Sequence, residues 1–313
     1  MPPAQLDAIS LLLVYSAIGV YTLAFIAFAV DIARRSAATP VPAMERELVA
    51  TGGVAGERAV GSERVAPRAS GPSRFSRIGV ALTILAWLLH LGGTVLRGIA
   101  AERVPWANMY EFALTGVAMI VGVWLLTRFW RDLSFLGVFI TGLATVFLGA
   151  ATVNFYVSVV PLQPALQSPW LVIHVFVATL ATGFFAVGSS LSVLQLIKER
   201  RSNGFLRSLP STVQLEDLSY RVGIIGFIFW TFTLAAGAIW AEAAWGRYWG
   251  WDTKEVWTFI IWVLYAGYIH ARATRGWRGS RSAWLQLVGF AAVIFNYAIV
   301  NVFFKGLHAY SGL

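Results

Sequence analysis

Apolar residues are gathered in this sequence into eight long segments separated by polar connections. The segments run over residues 9–30, 78–97, 111–130, 133–151, 170–196, 220–241, 256–273 and 283–304. A helix of roughly 20 apolar residues can cross the ~30 Å hydrocarbon core of a bilayer. The pattern therefore predicts an all-α polytopic membrane protein with about eight transmembrane helices and both termini on the same side.

The composition strengthens this prediction and limits the chemistry. Hydrophobic residues make up 58% of the 313 residues and charged residues only 12%, whereas soluble domains carry about 25% charged residues. The first segment follows no basic residue and has no small-residue cleavage site, so we interpret it as a span and not as a signal peptide. The absence of cysteine excludes disulfides, zinc–thiolate sites and cysteine nucleophiles.

The net charge of +9 follows the predicted topology and does not indicate a nucleic-acid surface. When successive connections are assigned to alternate sides, 19 of the 24 Lys and Arg residues fall on one side, including the span ends beside it. Basic residues concentrate on the cytoplasmic side of membrane proteins. The richer side is therefore predicted to be cytoplasmic, which places both termini and the connection after the sixth span on the outer side.

Three regions follow from this layout. Residues 1–30 are predicted to form the first transmembrane helix, and residues 78–313 the main membrane domain. Residues 31–77, rich in Ala, Gly, Pro, Ser and Arg, are typical of a disordered basic linker, here on the cytoplasmic side. We assign no chemistry to that linker.

An unusually aromatic segment, residues 240–257, joins the sixth and seventh spans. Its centre, residues 245–255, reads Trp-Gly-Arg-Tyr-Trp-Gly-Trp-Asp-Thr-Lys-Glu. Tryptophan and tyrosine also anchor helices at membrane interfaces, but there they are scattered, one or two at a helix end. Here Trp249 and Trp251 alternate around Gly250 and are predicted to present one shared face.

Charged residues follow these tryptophans at once. Asp252 lies next to the hydrophobic face and needs a partner there. Arg247 and Lys254 are candidates for that partner, or are aimed at an anionic ligand. The segment is therefore predicted to be a binding surface with both apolar and charged groups.

All four histidines lie in the predicted spans or beside their ends. Ionisable residues in a membrane are functional candidates by default. His174 and His308 are level with the aromatic segment and form an outer pair. At ~1.5 Å per residue, His270 lies ~21 Å below the start of its span and His90 ~10 to ~18 Å below the end of its own. We interpret these two as an inner pair, matched in depth only if the second helix is long.

Paired histidines beside an aromatic surface restrict the ligand. Zinc normally takes three or four protein ligands, and a proton relay needs a chain of acidic or histidine side chains within the spans. Acidic residues are almost absent from the span interiors. Two axial imidazoles, an aromatic surface and basic groups instead suit the iron, the porphyrin face and the propionates of haem.

The segment from Trp240 to Trp257 resembles the tryptophan-rich WWD motif of a haem-handling membrane protein family. From about residue 78 the chain resembles the CcsA/ResC-type members of that family, which serve system II of cytochrome c maturation. The further matching motifs are His90…Arg97…Pro105-Trp106-x-Asn108-Met109-Tyr110-Glu111, Pro169-Trp170-Leu171-x-x-His174, Trp262-x-x-Tyr265…His270-x-Arg272 and Gly306-Leu307-His308-x-Tyr310-Ser311.

Two residues depart from the family pattern. Thr253 stands where the family has proline, which leaves the turn looser because proline fixes φ. Glu242 stands where a small polar amide is expected. Neither departure touches a proposed ligand.

The resemblance implies a function and a set of partners. It implies transport of haem b to the outer face and its presentation to apocytochrome c for covalent attachment, as part of a haem-lyase complex. The implied partners are a CcsB/ResB-type membrane protein, an apocytochrome with the Cys-x-x-Cys-His pattern and a thioredoxin-like thiol reductant. The Ala- and Arg-rich character of the chain favours a bacterial plasma membrane over a thylakoid as the location.

The resemblance also implies roles for the site residues. His174 and His308 would be the outer axial ligands of the iron, and His270 the transmembrane ligand with His90 as its partner. The implied platform under the porphyrin consists of Trp245, Trp249, Trp251 and Asp252.

Two further questions stay open from the residues alone. One outer imidazole must leave when the histidine of the apocytochrome arrives, and His308 is the candidate because it lies near the C-terminus. The alternative functions are a system I-type protein that delivers haem to a separate chaperone, and a transporter whose aromatic patch binds a lipid-linked or sugar substrate.

Overall fold

The computed structural model describes residues 1–37, 73–159, 166–201, 206–207, 209–304 and 306–308. Within these residues the chain forms eight long helices, which confirms the predicted all-α polytopic membrane fold. The helices are α1 Pro3–Ala37, α2 Arg74–Ala101, α3 Met109–Thr127, α4 Gly137–Asn154, α5 Pro169–Arg200, α6 Thr212–Trp245, α7 Thr253–Thr274 and α8 Ser280–Phe303. Helix α8 contains a π-helical turn at Asn296–Val300.

The predicted linker 31–77 is described only at its ends. Helix α1 continues through residues 31–37, and α2 already includes residues 74–77. Residues 38–72, which hold the rest of the predicted linker, lie outside the described residues.

Helix α7 is the least apolar of the eight helices. The other seven are long and apolar enough to cross a membrane by length and composition. Helix α7 has 22 residues, which gives ~33 Å, but His270 and Arg272 lower its apolar character. It runs antiparallel to α6 along its length, since Trp230 Nε1 donates to the Thr258 carbonyl near one end and Arg272 pairs with Glu216 at the other. We therefore treat α7 as the seventh predicted span.

Helix α5 lies at the centre of the bundle, because its residues belong to all three buried apolar clusters. Phe184 belongs to a cluster that includes residues of α1, α3 and α4, whereas Phe185 belongs to one that includes residues of α6, α7 and α8. The Phe185 ring stacks on Tyr265 at 3.6 Å between centroids. Val175, less than two turns after the start of α5, joins Trp240 in a small cluster at the end of the bundle. That end, which holds residues 246–252, the start of α5 and residues 306–308, is called the aromatic end below.

The start of α3 shows how a cap and a charge network coincide. The spacing of Asn108 and Glu111 predicts a capping box. Asn108 does cap α3, since its side chain accepts a bond from the Glu111 N–H. The Glu111 carboxylate, however, accepts from the Ala107 N–H at 2.8 Å instead of from the N–H of the cap residue. The reason is that two arginines also bind this carboxylate.

The same network ties α1 to the rest of the bundle. Arg97 is fully buried; its Nη1 donates to Asp7 Oδ1 at 2.6 Å and its Nε to Glu111 Oε1 at 3.0 Å. Arg103 binds the second oxygen of Glu111 at 2.7 Å. Loss of one member of such a buried group typically costs about 3–5 kcal/mol, because the remaining charges stay buried. The first helix is thereby fixed at the aromatic end.

Candidate functional site

The aromatic segment is shaped by the end of α6 and the start of α7. Helix α6 stops at Gly246, whose φ of 71° lies in the left-handed region that favours glycine. Helix α7 begins with a complete capping box between Asp252 and Glu255. Glu255 Oε2 accepts from the N–H groups of Gly250 and Asp252 at 2.8 and 3.0 Å. The Glu255 carboxylate thus holds the connection between α6 and α7 against the first turn of α7.

Asp252 links this segment to the C-terminal part of the chain. Its Oδ1 accepts the Lys254 N–H as a helix cap at 2.9 Å and lies 3.1 Å from His308 Nδ1. Its Oδ2 accepts the Leu307 N–H at 2.8 Å. The bond from His308 lowers the pKa of the Asp252 carboxyl to about 2, so the group is a carboxylate at neutral pH. A carboxylate only accepts hydrogen bonds, so Nδ1 of His308 carries the proton and Nε2 is free.

His174 is held in the same tautomer by a different group. Its Nδ1 lies 3.0 Å from the carbonyl oxygen of Thr233 on α6. Because a carbonyl can only accept, Nδ1 is the donor and Nε2 is again free. The ring stacks on Trp240 at 5.8 Å and 18° between planes.

Gly237 makes this position of His174 possible. A Cβ atom at residue 237 would lie 2.7 Å from Cε1 and 2.8 Å from Nδ1 of the His174 ring, which is closer than real contacts allow. The absence of a side chain on one turn of α6 therefore gives the imidazole its place.

Both imidazoles line the same cavity. It continues along α5 from His174 to Thr182. Trp240 and Val175 form apolar parts of its wall, while Lys254 is one of its polar groups. A second cavity also has both histidines in its wall. Two imidazoles on one cavity, each with its Nδ1 already bonded, have the donor atoms that a ligand taking two imidazoles needs.

The tryptophans of the segment do not form one flat face. Trp245 meets His308 edge-on at 4.7 Å, and Trp249 lines the second cavity. Trp251 is 71% exposed, lines neither cavity and has a left-handed φ of 59°. The rings of Trp249 and Trp251 are nearly perpendicular, at 88°. The shared face expected from their alternation is therefore absent, because the backbone turns between them.

The two basic residues of the segment lie in different surroundings. Arg247 is 3.9 Å from Glu255 and packs over Gly250, so it pairs with the carboxylate that folds the connection. The Lys254 amino group contacts the side-chain oxygen of Asn301 and lines the cavity. Neither side chain is the partner expected for the Asp252 carboxylate, which binds Leu307 and His308 instead.

His90 and His270 are not brought together. His90 is fully buried against Tyr21, close to the backbone of Leu114, and neither ring nitrogen has a hydrogen bond of good geometry. Helix α2 does continue to Ala101, as the depth match required. However, α2 packs mainly on α1 and α3, whereas α7 packs on α6 and α8, and the His270 side chain is exposed. Two residues at the same depth on different helices meet only if both helices turn those residues toward each other.

Two contacts of the site were not predictable from the sequence, and a third feature carried only a weak signal. The hydrogen bonds that His174 donates to the Thr233 carbonyl and His308 donates to Asp252 join residues 59 and 56 positions apart. Gly237 carried a weak signal, since glycine within a helical pattern often marks a close approach. Glu242, which departs from the family pattern, is exposed at the end of α6.

Zinc fits this site poorly. In the part of the chain that the structure describes, no group of three or more His, Cys, Asp or Glu side chains could hold a metal ion. A zinc site commonly uses three or four protein ligands, whereas a haem iron takes at most two axial ligands, which two imidazoles can supply. The donor set present therefore fits haem.

Comparison with known proteins places the chain in a family. A family model described as "Cytochrome C assembly protein" matches residues 106–308. The "Cytochrome c biogenesis protein CcsA" of Parasynechococcus marenigrum is 34% identical over 262 residues, covering 73% of this chain and 85% of that protein. The protein of the same name from Chlamydomonas reinhardtii is 43% identical over 151 residues, covering 48% of this chain and 43% of that protein.

A solved structure shares the fold. The structure of "Cytochrome c Heme Lyase CcmF" matches with a TM-score of 0.62 at 18% identity, over 95% of this chain and 47% of that one. Two findings decide the assignment: the match to the family model, and the similarity to the Parasynechococcus marenigrum protein over most of both chains. This multi-pass membrane protein therefore belongs to the cytochrome c assembly protein family, as a CcsA-type cytochrome c biogenesis protein.

Proposed function

We propose that this chain moves haem across a membrane and presents it at the aromatic end to apocytochrome c for covalent attachment, in system II of cytochrome c maturation. One observation carries the proposal. His174 and His308 each bind a protein acceptor through Nδ1, so each has a free Nε2, and both line one cavity. Fixing Nδ1 in this way is how proteins orient imidazoles toward iron.

The surroundings of the pair support haem b as the substrate. Trp240 and Leu171 are apolar walls beside the imidazoles, and aromatic faces pack well on a flat conjugated ring. Lys254 supplies an amino group in the cavity wall, where a haem carboxylate would accept its hydrogen bonds and favour its protonated form. We assign the propionate contact to Lys254 and not to Arg247, because Arg247 already pairs with Glu255.

The attachment reaction itself adds two thiols to two vinyl groups. Each thiol of a Cys-x-x-Cys-His segment gives its sulfur to one vinyl carbon and its proton to the other, so the reaction needs no oxidant. The thiols must be reduced beforehand, which requires a thioredoxin-like reductant. The cofactor carries this chemistry, and the protein supplies binding, orientation and electrostatics.

The orientation in the membrane belongs to the same proposal. Most of the basic residues lie in the connections at the end of the bundle opposite to the aromatic end. Under the positive-inside rule, this basic end faces the cytoplasm. The aromatic end then faces outward in a bacterial plasma membrane. A CcsB/ResB-type membrane protein is the partner that this role implies.

The inner histidines are expected to behave differently from each other. Exposed His270 can reach a ligand, whereas His90 is enclosed by its own helices. We expect His270→Gly to lower the haem-to-protein ratio of the purified chain and His90→Leu to leave it unchanged. Leucine replaces two unsatisfied buried nitrogens by apolar atoms, which avoids a folding penalty. Pyridine haemochrome assays on both variants measure this, and haem loss in His90→Leu alone would reinstate His90 as a ligand.

The absorption spectrum of the purified chain separates the main candidates. Haem handling predicts a Soret band and sharp α and β bands on reduction, while a transporter for a lipid-linked or sugar substrate predicts none of them. A system I-type delivery protein would also carry haem, but the cell would then need a separate haem chaperone to make cytochrome c. Cytochrome c formation in cells that lack such a chaperone distinguishes the two haem-handling functions.

A further inference from the structure

The two outer histidines differ in the group that holds Nδ1. His174 donates to a neutral backbone carbonyl, that of Thr233. His308 donates to an ionised carboxylate, that of Asp252, whose side chain is only 7% exposed. A carboxylate partner makes an imidazole a stronger electron donor to a metal than a carbonyl partner does. The pair is therefore chemically asymmetric even though both members are histidines.

Residues 306–308 are held in place by several contacts with Asp252 and the aromatic segment. Leu307 N–H donates to Asp252 at 2.8 Å, so backbone and side chain of residues 307–308 bind the same carboxylate. Gly306 lies against that carboxylate, where a Cβ would collide with it. The rings of Trp240 and Trp245 meet the His308 ring edge-on at 5.4 and 4.7 Å.

We propose that His174 is the axial ligand that the histidine of apocytochrome c replaces, and that His308 stays bound through its pair with Asp252. The inference rests on the proposed haem function and specifies how its outer site exchanges ligands. Exchange occurs at the weaker iron–imidazole bond, which is the bond on the side of the carbonyl-held histidine. This reverses the expectation drawn from the position of His308 near the C-terminus. Asp252 is accordingly a positioning residue that acts through His308, and not part of a platform.

Competition with free imidazole tests which side exchanges. The full-length variants His174→Gly and His308→Gly are loaded with haem in the presence of imidazole, which fills the vacated position. Each is then titrated with a peptide of pattern Ser-x-x-Ser-His, in which serine prevents covalent attachment, and binding is followed by the change in the absorption and magnetic circular dichroism spectra.

The two variants should respond in opposite ways. In His174→Gly the peptide competes with imidazole, so tenfold more imidazole should raise the apparent Kd of the peptide about tenfold. In His308→Gly the peptide should replace His174 and leave the imidazole in place, so its Kd should not depend on imidazole. The reverse pattern, or the same dependence in both variants, overturns the proposal. A wild-type chain without any Soret band would instead overturn the haem function itself.

A second measurement addresses Asp252 directly. Asp252→Asn retains a helix cap but loses the charge, so the haem reduction potential should rise and the peptide should no longer select one side. Glu255→Gln is the matched control in the same segment, because Glu255 binds backbone N–H groups and not His308. An equal potential in wild type and Asp252→Asn, with haem retained, contradicts the role given to the carboxylate.

Discussion

Asp252→Ala is expected to lower the haem affinity of the purified chain by about 10–100-fold, which is the usual effect of removing the group that orients a metal-bound imidazole. The change removes three contacts at once: the cap on α7, the bond from the Leu307 N–H and the bond from His308 Nδ1. His308 then loses both its orientation and its fixed tautomer. Haem titration of the detergent-purified variant, followed at the Soret band, measures the loss.

Ser211→Ala is the matched control for the loss of a helix cap. Ser211 caps α6 at the end of the bundle opposite to the aromatic end and forms a capping box there. It should cost about 1 kcal/mol of stability, as caps generally do, without any change in haem affinity. Equal haem affinities of Asp252→Ala and Ser211→Ala would show that Asp252 matters only as a cap.

Gly237→Ala should remove most bis-imidazole haem although it adds a single methyl group. The new Cβ would lie 2.7 Å from the His174 ring, so the ring must move and the bond to the Thr233 carbonyl must break. Alanine is about 1 kcal/mol better than glycine within a helix, so α6 itself is not weakened. The expected spectrum is that of a high-spin or mixed-spin haem in place of a low-spin one.

Gly149→Ala provides the comparison for this second change. Gly149 lies within α4, and a Cβ there would meet nothing within 4 Å. It should leave haem content unchanged and slightly raise the melting temperature. A Gly237→Ala protein with the wild-type low-spin spectrum would mean that the His174 ring is not held at Gly237 when haem is bound.

The sequence predicts the fold well because the controlling forces are local. Runs of apolar residues set the helices, and polar residues such as Ser168 and Asp252 cap them where a run begins. Hydropathy predicts helix α7 less clearly than the other helices. Its tyrosines, tryptophans and charged residues lower its apolar character but pack against α6 and α8. Its packing against α6, which supports the predicted span, depends on the Arg272–Glu216 pair at one end, which joins positions 56 apart.

The candidate site is less predictable because its contacts are non-local. Depth along the helices correctly set His174 and His308 at one level, and the structure places both on one cavity. Rotation about the helix axis is not given by depth, which is why His90 and His270 share no site despite their similar level. The alternation of Trp249 and Trp251 predicted a common face, but the backbone is left-handed at Trp251 and the two rings lie nearly perpendicular.

The structure also gives Asp252 a role that links folding to ligand binding. The residue that starts α7 is the same residue that holds His308 and Leu307. A helix start has a fixed direction, so the carboxylate is preorganised before any ligand binds. The aromatic segment thereby supports one histidine and also lines the second cavity.

The coordination of haem in His174→Gly and His308→Gly tests the central claim most directly. Each single variant, purified as the full chain, should lose the low-spin bis-imidazole spectrum and most of its haem, and added imidazole should restore both. Restoration by imidazole separates the loss of a ligand from the loss of the fold. Retention of full haem with an unchanged low-spin spectrum in both variants, without added imidazole, would contradict the assignment of His174 and His308 as the outer haem ligands.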